Sequence, residues 1–148
     1  MQRELHLAFT IITWLLTFQI ASRGLDYLTG NPRPGVGAFE VGWATPAASW
    51  GAGCLVAAAV VVVGALVRST RVVRAGAVLA MSLYLAFAVM VSADVLRSPL
   101  DDWRFFTSYL VIAGTWGTIA WVLTTRIAVE QHREEATCGV GAADSSTG

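Results

Sequence analysis

The stretch CLVAAAVVVVGALV, residues 54–67, carries no charged side chain and no polar stripe. A helix that is apolar on every side belongs in hydrocarbon or deep inside a much larger protein. Three further stretches share this character, so that the apolar segments fall at about residues 5–28, 46–67, 72–93 and 105–127. Each reaches the roughly 20 residues that a helix needs to cross a bilayer. With 55% hydrophobic and 14% charged residues and a mean hydropathy of +0.61, the 148-residue chain cannot bury this surface in a water-soluble core. The pattern predicts an all-α integral membrane protein with four transmembrane helices in an antiparallel bundle. The transmembrane domain covers residues 1–128, and a polar tail over 129–148 ends in a segment expected to be disordered.

The formal net charge is zero, which gives nucleic acid no electrostatic reason to bind. All ten basic residues are arginine, and with abundant alanine, glycine and valine this suggests a GC-rich coding sequence. The first span follows only Arg3 and Glu4 and lacks a good small-residue cleavage site, so it reads as a retained anchor. Orientation follows from the arginines, because short loops rich in them stay in the cytoplasm. The loop RSTRVVR, residues 68–74, holds Arg68, Arg71 and Arg74 and no acid. Placing it inside also puts both termini in the cytoplasm of a bacterial cell, in its cytoplasmic membrane. Six arginines then lie inside, against four outside (Arg23, Arg33, Arg97, Arg104), where five acids accompany them. Trp43, Trp50 and Trp103 fall at the outer water boundary, as an aromatic belt does. Cys54 and Cys138 lie on opposite sides in this arrangement and cannot pair within one chain.

Helix ends are marked by chemistry. In ATPAAS, Thr45 caps and Pro46 takes the first helical position; in SPLDDW, Ser98 and Pro99 repeat the device, with Asp101 completing a capping box. The fourth helix is expected to continue past Arg126 as a polar helix until Gly139. Helices in lipid associate through close backbone approach, so small residues four apart mark contacts. Gly53 with Ala57, Gly76 with Ala80, and Ala113 with Gly117 have that spacing, and Thr10, Thr13 and Thr17 form a comparable stripe. These positions suit packing within the bundle or between copies of the chain.

Catalytic chemistry is sparse. The only histidines, His6 and His132, sit near the cytoplasmic ends, so no intramembrane pair can hold a haem. The span centres offer no nucleophile with its base, no paired carboxylates and no metal-ligating cluster. Neither an enzyme nor a cofactor is expected. The one polar constellation lies at the outer face, where Arg23 with Asp26 and Asp94 with Arg97 stand at i, i+3. These read as solvated surface pairs of about 0–1 kcal/mol each, or as a cap that holds the bundle shut or binds a partner. The loop over residues 29–45, with turn signals at Asn31-Pro32 and Pro34-Gly35, is the longest connection and the natural place for outward recognition.

The run LDYLTGNP at residues 25–32, the tryptophan opening helix two at Trp50 and the arginine-rich inner turn resemble a group of small four-span membrane proteins encoded by phages of high-GC bacteria. That resemblance covers architecture, not a catalytic motif. It implies a role in host lysis as a holin, or another role at the host membrane. The acidic balance of EQHREE, residues 130–135, departs from the basic tails of many holins. The competing class is a membrane interaction protein, a superinfection exclusion factor or an accessory subunit of a membrane complex. A transporter or a quinone-linked subunit is disfavoured by the lack of midplane charges and histidines. The partners implied are the lipid bilayer and either a second copy or another membrane protein.

Topology is directly testable. A C-terminal fluorescent-protein fusion should be bright and an alkaline phosphatase fusion at the same site inactive; the reverse pattern inverts the orientation. Replacing Arg68, Arg71 and Arg74 together with glutamate should give mixed orientations.

Overall fold

A computed structural model describes residues 2–29, 47–97 and 103–144; the side chains of Asp94, Arg97 and Cys138 and the whole loop through Trp43 lie outside the described residues. Within them the chain is four helices: α1 (Gln2–Thr29), α2 (Ala47–Leu66), α3 (Thr70–Arg97) and α4 (Trp103–Asp144). All four are long and apolar enough to cross a membrane, over Leu7–Thr29, Ala48–Leu66, Thr70–Ser92 and Trp103–Arg133. Helices are the natural answer in lipid, because each satisfies its own backbone hydrogen bonds without water.

α1 packs on α2, α2 on α3, and α3 most extensively on α4. α2 and α3 are joined so tightly that the expected seven-residue loop shrinks to Val67, Arg68 and Ser69, and Arg71 and Arg74 become part of α3. The Ser69 amide donates to the Gly64 carbonyl at 2.9 Å and the Arg68 amide to the Ala65 carbonyl at 3.2 Å. That is the Schellman arrangement, which requires a left-handed residue after the helix. Arg68 supplies it with φ 53°. The Ser69 carbonyl then accepts the first helical bond of α3, from the Val73 amide at 3.1 Å. Below, this end of the bundle is the turn end and the opposite one the loop end.

Close approach, not side-chain bulk, sets the packing near the turn. A Cβ added to Gly64 would lie 2.6 Å from the Val73 amide nitrogen, and one added to Gly76 would lie 2.6 Å from Val61 Cγ2. Ala57, Ala58, Ala77 and Ala80 fill the rest of this α2–α3 face. α1 and α2 cross in contact at a second glycine pair. An added Cβ on Gly24 would meet the Gly51 carbonyl oxygen at 3.0 Å, and one on Gly51 would meet the Gly24 carbonyl oxygen at 2.8 Å. Towards the loop end the filling changes to Tyr27, Trp50, Tyr84, Phe87 and Tyr109. Trp50, expected in an aromatic belt, is half-buried there, with its ring 5.2 Å from Phe87.

α4 is longer than the sequence reading, running through Gly139 to Asp144 as one 42-residue helix. Glu130, Gln131, Arg133, Glu134, Glu135 and Ala136 are good helix formers, and they carry the helix across Gly139, at which it was expected to stop, and across Gly141.

Two glycines of similar sequence context should respond oppositely. Gly64→Val should lower stability by about 1–3 kcal/mol through forced separation of α2 and α3. Gly114, whose added Cβ has nothing within 4 Å, should accept alanine within about 0.5 kcal/mol. Unfolding titrations in mixed micelles measure both.

Candidate functional site

The inward side of α1 is a stripe of Phe9, Thr13, Leu16, Thr17, Ile20, Gly24 and Tyr27. Arg23 stands three residues after Ile20 and four before Tyr27, so the helix period places it on the edge of this stripe. Its guanidinium carbon lies 4.9 Å from the centre of the Tyr109 ring on α4. Asp26 is exposed, and among the described residues the two form no ion pair. The i, i+3 pairing expected at this helix end is replaced by a cation facing aromatic rings. Asp94 and Arg97 belong to the last turns of α3, with their side chains outside the described residues.

Around Arg23 the aromatic residues form one connected group centred on Phe87, which is fully buried. Its ring centroid lies 5.7 Å from Tyr27, 5.2 Å from Trp50, 6.1 Å from Tyr84 and 5.6 Å from Tyr109. Tyr84 and Tyr109 are 6.3 Å apart. One polar contact ties α1 to α3: the Tyr84 hydroxyl donates to Gln19 Oε1 at 2.8 Å. Two donors in this region are left over. Arg23 Nη1 and Trp116 Nε1 are buried and have no hydrogen-bond partner.

The energetics single out the arginine. An arginine at the centre of a membrane helix costs about 2.5–3.5 kcal/mol on insertion scales, whereas a cation–π contact returns about 0.5–2 kcal/mol. At a shallower depth the cost falls, but an unpaired Nη1 still lacks an acceptor. A second arginine makes a similar contact at the turn end, where the Arg126 guanidinium carbon lies 5.5 Å from the Phe9 ring centre. Arg126 itself is exposed, so water and headgroups can complete its shell. Near it, Ser69, Thr70, Arg71, Ile127, Glu130 and Gln131 line a half-open cleft of about 200 Å³. Among the described residues no three His, Cys, Asp or Glu side chains converge as metal ligands would.

The six packing positions all meet neighbouring helices of the same chain. An added Cβ on Gly53 would contact Leu83 Cδ2 at 3.3 Å, and one on Gly117 would contact Met81 Sδ at 3.1 Å. Ala57 and Ala80 are fully buried, Ala113 nearly so, and Gly76 lies against Val61. Sequence reasoning passed over Gln19, Tyr27, Tyr84, Phe87, Tyr109 and Trp116. A signal existed: Ala77, Ala80, Tyr84, Phe87 and Val91 repeat at three and four on α3, as do Tyr109, Ala113, Trp116, Ala120 and Leu123 on α4. No protein-family model, curated protein or solved structure matches the chain.

The tie between Gln19 and Tyr84 should be measurable. Tyr84→Phe should lower stability by about 0.5–1.5 kcal/mol. In a double-mutant cycle Gln19→Leu should add little once the hydroxyl is gone; full additivity would show that the bond contributes nothing.

Proposed function

We propose that the protein acts by lateral association in the cytoplasmic membrane, using the outward face of α4, with no catalytic chemistry of its own. One observation carries this reading. Thr107, Val111, Gly114 and Thr118 are exposed positions recurring at four and three along α4, a spacing that continues through the exposed Trp121 to Thr125, away from the buried Tyr109, Ala113 and Trp116. This is the seam spacing of paired helices. The hydroxyls of Thr107, Thr118 and Thr125 donate back to carbonyls of their own helix, at 2.9, 2.9 and 2.8 Å. From Thr107 to Thr118 what faces outward is therefore short and non-competing, with open space over Gly114, and the large exposed Trp121 follows it. The outward face of α1 contrasts with it, being built from Leu7, Ile11, Leu15 and Phe18. Helices in lipid pair through small surfaces that allow close approach, and large side chains are equally content with acyl chains.

A phage-encoded holin is the form of this function that the resemblance of the chain implies, since lesions require many copies to assemble. A membrane interaction protein is the second reading, in which another protein occupies the same face. The six small residues suited to packing within the bundle or between copies are engaged inside the chain, which is why the reading rests on Gly114 instead.

With Cys54 and Cys138 replaced by alanine, Gly114→Cys or Thr118→Cys should give copy-to-copy disulfides in native membranes, and Leu15→Cys should not. Gly114→Leu should weaken association without unfolding the chain. Absence of cross-links at both α4 positions would remove self-association. Where cross-links form, induced expression separates the two readings: collapse of the membrane potential after a delay supports the holin, and unchanged potential leaves the interaction protein.

A further inference from the structure

The unsatisfied Nη1 of Arg23 points to a ligand. Arg23 is six residues before the end of α1 at Thr29, a depth of about 9 Å along the helix axis. From there a long arginine side chain ordinarily snorkels to the headgroups. This one turns inward instead, to the Tyr109 ring, and its Nη1 is buried without an acceptor. Among the described residues Tyr109 bonds the guanidinium elsewhere, Gln19 Oε1 already accepts from Tyr84, and Asp26 makes no ion pair with it, so Nη1 itself has no acceptor.

Access comes from the side of the bundle. α1 contacts α2 extensively but reaches α4 mainly through long side chains, Arg23 on Tyr109 near one end and Arg126 on Phe9 near the other. The stretch between these two bridges is the α1–α4 seam, along which the two backbones approach less closely than in the α1–α2 pair. At the loop end Trp103 and Phe105 on α4 are both more than half exposed. These surfaces suit acyl chains, and the arginine beyond them suits an anionic oxygen.

We infer that Arg23 binds the phosphate headgroup of an anionic membrane phospholipid, which enters the α1–α4 seam at the loop end and supplies the acceptor that Nη1 lacks. A phosphate offers several oxygens to a guanidinium and forms charge-assisted hydrogen bonds that strengthen as water is excluded. The depth favours a lipid over other anions, because headgroup phosphates already lie about one side-chain length away.

The test uses the full chain in nanodiscs of phosphatidylcholine, with and without phosphatidylglycerol, and reads lipid retained by native mass spectrometry together with the thermal midpoint. Wild type should retain phosphatidylglycerol about tenfold more than Arg23→Met, and its midpoint should rise with that lipid while the variant's stays constant. Arg104→Met, which removes an exposed arginine at the same end, should behave as wild type. In phosphatidylcholine alone Arg23→Met should be as stable as wild type or more so, since an uncompensated cation has been replaced by an apolar side chain. Equal retention by wild type and Arg23→Met overturns the site. So does a variant less stable than wild type in both lipids by the same margin, which would make Arg23 a clamp on Tyr109 or the cation that pairs with an acidic partner helix. An equal midpoint rise on adding inorganic phosphate to phosphatidylcholine discs overturns the lipid as the source of the anion.

Discussion

In a bilayer, apolar side chains gain nothing by leaving lipid for each other, so a bundle must be held by contacts that lipid cannot make. Here that contact is backbone against backbone. Gly64 under the Val73 amide, Gly76 against Val61, and Gly24 against Gly51 bring the chain's helices closer than any side chain would permit. The Schellman turn at Arg68 fixes the α2–α3 pair in register, and α1 and α4 are then added to its two sides. Towards the loop end bulk joins the glycine contact, and the aromatic group around Phe87 fills the bundle beside Gly24 and Gly51.

This division of labour explains why a charge appears where it does. The glycine and alanine half is too tight for a long polar side chain. The aromatic half has ring faces with negative potential, and a guanidinium can rest on one of them without a carboxylate. Arg23 occupies the boundary of that half, and its unsatisfied nitrogen marks the one place among the described residues where a cation inside the bundle remains chemically incomplete.

Span number, helical class and approximate boundaries were legible because they depend on composition: the run at residues 54–67 admits no other solvent than lipid. The inward faces were harder to read, for a physical reason. A soluble helix advertises its buried side by contrast with a polar side, whereas α2 is apolar all round, and both of its faces suit their surroundings. Gly53 and Gly114 accordingly look alike in sequence, yet one lies against Leu83 and the other faces open space. Arg23 was misread because i, i+3 spacing to Asp26 suggested an ion pair, and spacing along one helix carries no information about the ring waiting on another. The length of α4 was underestimated because a glycine costs a helix only about 1 kcal/mol, and Gly139 and Gly141 together do not end one that good formers have already built.

That length has a mechanical meaning. α4 runs unbroken from Trp103 to Asp144, roughly 60 Å at 1.5 Å per residue, and its candidate span ends at Arg133. The segment beyond is a shaft continuous with the ridge that carries Gly114. A helix without a hinge transmits rotation, so a protein that grips the shaft in the aqueous phase turns the ridge within the bilayer by the same angle. Under the proposal of lateral association, contact on one side of the membrane boundary would be geared to the choice of neighbour within it.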